Sequence, residues 1–202
     1  MVKMNNEIHI SDKKYNIIYI DPPYKYNARN NKSTKFGGGT PYPTMPIWNK
    51  YNKSGELVEQ GIEDFDVPSI ADTNCALCMW VTFPYLDEGI KLFKHWGFDY
   101  KTILFNWVKT NPKSGWVFFG PGYYTASNTE ICLLGVKGKM KPVSNYVSSV
   151  IISPREKHSK KPSEARDRIV ELFGALPRIE IFARQDLRNI GWDVFGNEIN
   201  TI

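Results

Sequence analysis

The chain has 202 residues, is 42% hydrophobic and 23% charged, and carries a formal net charge of +5. That balance suits one domain, residues 1–202, with a sizeable core, and excludes a disordered or fibrous chain. No apolar run approaches the ~20 residues of a membrane span, the first residues lack the apolar stretch of a signal peptide, and three cysteines are too few for a disulfide scaffold, so the chain reads as a cytoplasmic protein.

The first strong strand is predicted over 16–20, "NIIYI", and it runs straight into Asp21-Pro22-Pro23-Tyr24. A long polar segment follows, with Gly37, Gly38 and Gly39 inside it. A short helix is expected at 67–71. The apolar run 75–82 predicts a buried strand, and it contains Cys75 and Cys78. Their C-x-x-C spacing could suggest zinc or redox chemistry, but no second Cys/His pair lies nearby, so they read as core residues. A helix is predicted over 85–96, with Leu86, Ile90 and Phe93 on one face and Gly97 as its stop. Strands at 101–108, 129–136 and 149–152 come next. A helix over 162–173 follows, with Pro162 at its start, Gly174 after it, and Ala165, Ile169 and Leu172 on one face. Strands at 178–183 and 192–195 close the chain. Several of these strands are apolar on both faces. Strands alternating with helices imply an α/β fold with a largely parallel sheet, whose ligand crevice lies at the carboxyl ends of the strands. Asp21 sits at that edge.

Two prolines in a row hold the backbone extended and leave their carbonyls as acceptors. Asp21 adds a further acceptor and Tyr24 a flat ring. Such a platform takes hydrogen bonds from a planar amino group and stacks on the ring that bears it. An exocyclic amine of a nucleobase fits, and acceptors on its N–H bonds favour its nucleophilic form in the transition state. Residues 137–168 hold nine Lys/Arg against three acids, and Lys25, Arg29, Lys32 and Lys35 cluster in the opening loop. A polyanion partner suits that distribution.

From these residues the chain resembles the amino-group DNA methyltransferases. More narrowly it resembles the bacterial and phage branch of the MT-A70 family of adenine N6-methyltransferases. The similarity rests on D-P-P-Y, "YPTM" (42–45), "CMWVTFPYLDEGIKLFKHWGF" (78–98), "FNWVKTN" (105–111), "GPGYYTASNTEICLLGVKGK" (120–139), "HSKKPSEARDRIVELF" (158–173) and "RIEIFARQ...GWDVFGNE" (178–198). These stretches span nearly the whole chain in family order. One departure is Tyr24, where the family usually carries Trp.

The resemblance implies a Rossmann-like S-adenosylmethionine-dependent methyltransferase fold in permuted order, with the catalytic motif ahead of the cofactor-binding elements. It implies direct methyl transfer from S-adenosyl-L-methionine, with S-adenosyl-L-homocysteine as product and no metal, to the exocyclic amine of a flipped-out adenine in DNA. Asp21, Pro22, Pro23 and Tyr24 would be catalytic. Asp21, Lys161, Glu180, Ile181, Phe182, Arg184, Asn197 and Glu198 would hold the donor. Lys25, Tyr26, Asn27, Arg29, Tyr42, Tyr123, Tyr124, Asn128 and Lys160 would meet nucleic acid, in a bacterial or phage-infected cell. The same chemistry on RNA, and a catalytically silent nucleic-acid-binding partner subunit, are the alternatives.

Overall fold

The computed structural model describes residues 13–25, 43–120, 122, 124–156, 160–196 and 199. The described strands are β1 (Tyr15–Ile20), β2 (Lys50–Tyr51), β3 (Leu57–Glu59), β4 (Ala71–Val81), β5 (Asp99–Thr110), β6 (Thr129–Lys137), β7 (Val150–Pro154), β8 (Arg178–Ile181) and β9 (Asp193–Phe195). The α-helices are α1 (Val67–Ile70), α2 (Leu86–His95) and α3 (Glu164–Phe173). Every strand and helix expected from the sequence is present, with ends shifted by a few residues. The small β2–β3 hairpin was not foreseen; its strands are two and three residues long, too short to carry a period.

Seven strands form one sheet in the order β7-β5-β6-β4-β1-β8-β9. Pairings β1–β4, β1–β8, β8–β9 and β5–β7 are parallel, while β6 is antiparallel to both β4 and β5. Six strands therefore run one way and β6 runs against them. The largely parallel reading holds with that one reversal. β6 is as apolar as its neighbours because it too is covered on both faces, so composition gives no sign of its direction.

Side chains alternate across the sheet with period two, and this divides the core. Ile18, Ile20, Leu77, Met79, Val81, Leu133, Ile179 and Ile181 face α1 and α2, where Leu92, Phe93 and Trp96 pack on them. Ile17, Tyr19, Ala76, Cys78, Trp80, Phe105 and Cys132 face α3, covered by Ala165, Ile169 and Phe173. All three cysteines are free and buried, and burial pushes the Cys75 thiol up to about 12. They are core residues, as the sequence suggested.

Each long helix follows from its ends. Asp87 and Glu88 lie in the first turn of α2 and Lys94 and His95 in the last, complementing the helix dipole. Gly97, at φ 77, turns the chain out of the helix. α2 buries Gly89, Leu92 and Phe93, with Leu86 and Ile90 half-buried beside them. α3 buries Ala165, Ile169 and Phe173, and with them an arginine, Arg166.

Candidate active site

β1 lies in the middle of the sheet, flanked by β4 and β8. Its last residue, Ile20, pairs with Met79 and Ile181. Asp21 is the next residue, so it leaves the sheet on the face of Tyr19, toward α3. The segment just before α3 returns to the same place and brings Lys161. Asp21, Pro22, Pro23, Tyr24, Trp80, Val81, Thr82, Glu130, Lys161 and Arg184 line one cavity at this edge.

The Nζ of Lys161 lies 2.8 Å from Oδ1 of Asp21 and 2.9 Å from Oδ2. It also lies 3.2 Å from Oε2 of Glu130. The other oxygen of Glu130 takes Lys109 at 2.7 Å. Two carboxylates and two ammonium groups thus alternate through the site, and the Lys161 ammonium stands 5.6 Å from the Trp80 ring centre. Burial works against the charge on Lys161, but Asp21 and Glu130 outweigh it and raise the amine above its ordinary value. Burial likewise opposes the charge on Glu130, yet Lys161 and Lys109 hold that carboxyl below its usual range. Asp21 goes the other way: burial dominates and lifts its carboxyl above the usual range, although Lys161 pulls it down.

The D-P-P-Y backbone is fixed from two sides. The Tyr24 N–H donates to Pro22 O at 2.9 Å, and the Met45 N–H donates to Pro23 O at 2.8 Å. The Lys25 N–H donates back to Met45 O at 2.8 Å. The proline carbonyls are therefore engaged rather than free, each keeping one lone pair, because the loop after the motif must satisfy its own N–H groups. Tyr24 is 5% exposed, its hydroxyl donates to Trp80 O at 3.0 Å, and its ring centre lies 5.7 Å from that of Tyr85. Its ring is thus a rigid wall of the cavity, clamped between β4 and Tyr85.

Three residues expected at the donor lie on or just after β8, and the cavity lining does not include them. Glu180 is 7% exposed on the α3 face and is paired with Arg166, whose Nη2 donates to Oε1 at 3.2 Å. Ile181 is in the core. Phe182 packs its ring on Phe65, centres 4.7 Å apart, and is the one described non-glycine residue with positive φ, at 61°. Strain of that kind persists only where the surroundings impose it, and here the ladder bond from the Ala183 N–H to Phe195 O fixes the turn.

Of the nucleic-acid candidates, Lys25 is exposed and ion-paired with Glu59, and Lys160 is paired with Glu156. Asn128 donates from Nδ2 to Phe118 O at 2.6 Å, and Tyr124 is 96% exposed. Tyr26, Asn27, Arg29, Tyr42, Tyr123, Asn197 and Glu198 lie outside the described residues. Trp80, Thr82 and Lys109 lie within stretches that carry the family resemblance, but their place in the cavity lining or its ion pairs was not singled out, because it is set by register between strands.

The cavity lining suits an amino-acid zwitterion such as the methionine end of S-adenosylmethionine. A carboxylate needs cations, and Lys161 and Arg184 line the cavity; an ammonium needs anions, and Asp21 and Glu130 line it too. The residues fit.

The MT-A70 family model matches residues 15–198. The chain is 36% identical over 192 residues to the Type II methyltransferase M.MunI of a Mycoplasma species, covering 93% of this chain and 78% of that protein. A putative N(6)-adenosine-methyltransferase MT-A70-like protein of Medicago truncatula is 25% identical, over 94% of this chain but 27% of its own length. The N(6)-adenosine-methyltransferase non-catalytic subunit METTL14 of Drosophila melanogaster is 27% identical, over 92% of this chain and 47% of its own. An acidic residue just beyond β1 of the seven-stranded sheet, braced by a buried lysine, lies within the residues that the family model matches. The chain belongs to the MT-A70 family.

Proposed function

We propose that this protein is a site-specific adenine methyltransferase acting on DNA, using S-adenosyl-L-methionine. The observation that carries this reading is the buried Lys161 amine spanning Asp21 and Glu130 at the D-P-P-Y platform. The donor supplies an electrophilic methyl group. Lys161 and Arg184 pair with its carboxylate, and Asp21 and Glu130 with its ammonium. Asn197 and Glu198 meet its ribose and adenine, and Glu180, Ile181 and Phe182 set the backbone beneath it. Asp21 and the spare lone pair of the Pro22 carbonyl accept the N–H bonds of the target amine. That aligns the nitrogen lone pair for in-line attack and stabilises the positive charge it gains. Asp21 receives the proton that the amine then sheds. Tyr24 walls the base. The strand order supports a permuted fold: the acidic platform follows the first strand, and β8, the donor strand, comes near the end of the chain.

Likeness to a Type II methyltransferase over 93% of this chain favours DNA over RNA. The basic stretches, with Lys25, Tyr26, Asn27, Arg29, Tyr42, Tyr123, Tyr124, Asn128 and Lys160, form the nucleic-acid walls, and binding weakens with salt. The test is methyl transfer from labelled donor to unmethylated plasmid DNA and to RNA in parallel, read by nucleoside mass spectrometry. N6-methyladenine in DNA is expected. Methyladenine confined to RNA would overturn the substrate. Donor binding without transfer to either would favour the partner-subunit reading.

A further inference from the structure

β5 and β1 run the same way, so the carboxyl end of β5 projects from the edge that holds Asp21. Beyond Thr110 the chain makes a tight return. The Asn111 side chain accepts the Lys113 N–H at 2.9 Å, the Gly115 N–H donates to Asn111 O at 2.8 Å, and the Asn111 N–H donates to Trp116 O at 2.8 Å. Gly115 takes φ 74, which closes the turn without a Cβ penalty. The chain comes back with Val117 bridged to Thr110 and the Phe118 N–H on Lys109 O at 2.8 Å. This Lys109 is the residue whose ammonium holds Glu130 in the cavity. The turn is thus tied to the site by one residue's backbone and side chain.

The turn presents two large aromatics to solvent: Trp116 is 79% exposed and Phe119 is 78% exposed. Between them Phe118 is covered by the Arg155 guanidinium, 3.7 Å from its ring centre. Lys113 is exposed at the tip. Two rings this exposed on one short return have no role in a core. Flanked by cations at a catalytic edge, they suit a partner that offers flat apolar faces and negative charge together. Nucleic acid is that partner.

We propose that Trp116 and Phe119 stack on the bases beside the target adenine and hold the duplex open while the adenine occupies the cavity, with Lys113 and Arg155 on the flanking phosphates. This rests on the DNA methyltransferase reading above. An enzyme that acts on a paired base must take it out of the stack, and the gap left behind is unfavourable unless flat side chains fill it.

The test uses Trp116→Ala, Phe119→Ala and the double variant on unmethylated plasmid DNA. It then uses an oligonucleotide duplex carrying the methylated site found by sequencing that plasmid. Each variant is expected to lose on the order of tenfold in kcat/KM, the scale of one lost base stack. Donor binding by calorimetry stays unchanged. Trp116→Phe recovers most of the loss. A mismatch opposite the target adenine, which opens the pair in advance, brings the alanine variants back toward wild type. If wild type methylates DNA and the double variant matches it, the inference is wrong while the functional reading stands. If the variants lose activity together with a dimer seen by sedimentation, the rings join two copies of the chain and the inference is overturned. Wild-type inactivity on DNA removes both.

Discussion

The ammonium of Lys161 lies 2.8 Å from the Asp21 carboxylate, across 140 residues of sequence. It joins the end of the first strand to the start of the last long helix. Lys161 cannot serve Asp21 alone, because Glu130 takes part of its charge at 3.2 Å. That sharing leaves burial free to lift the Asp21 carboxyl above its ordinary range.

A pH dependence follows with a defined sign. In the proposed mechanism Asp21 is an acceptor and must be ionised, so activity should fall as pH drops through its raised folded-state value, above the ordinary ~3.9. Glu130 raises Asp21 and draws Lys161 away from it. Glu130→Gln should therefore move the acid limb of kcat to lower pH. Lys161→Met removes the main group that lowers Asp21 and should move the limb up. Rate profiles at saturating donor read both, and limbs that coincide with wild type would exclude Asp21 as the titrating group.

The Arg166–Glu180 pair is buried on the α3 face. Removing one partner leaves an uncompensated charge, and Arg166→Met or Glu180→Leu alone should cost about 3–5 kcal/mol in urea unfolding. The double variant should recover most of that loss. Additive losses would mean the two side chains do not interact.

Tyr24→Phe removes the hydroxyl that bonds Trp80 O. Losing that buried hydrogen bond should cost roughly 1 kcal/mol of stability. Because the phenyl wall stays, kcat should fall only modestly, by a few fold. Thermal melts and steady-state rates separate the two effects.

Much of this was legible in the sequence. An apolar run ending in Asp21-Pro22-Pro23-Tyr24 located both the central strand and the sheet edge where the cavity lies. The glycines at 97 and 174 marked helix ends. Lys161 was readable through its match to the family's lysine, just ahead of a helix start. Long-range pairing was not readable. The reversal of β6 and the partnership of Glu130 with Lys109 depend on register between distant strands. Glu180 was expected at the donor from the family resemblance, and its buried pairing with Arg166 was not readable because it joins β8 to α3.

Gly135 on β6 tests that register far from the chemistry. A Cβ there would lie 2.3 Å from Cδ1 of Phe93 on α2. Gly135→Ala should lose roughly 1–3 kcal/mol by overpacking, with unchanged kcat below its melting temperature. Denaturant midpoints and rates at low temperature check it.

The central claim is tested most directly by single-turnover methyl transfer to unmethylated DNA with wild type and Asp21→Asn, at donor concentrations shown by calorimetry to saturate both. The account predicts N6-methyladenine with wild type and a loss of at least a hundredfold in rate with Asp21→Asn, an amide being a weaker acceptor that cannot take the proton. A transfer rate in Asp21→Asn equal to wild type would contradict it.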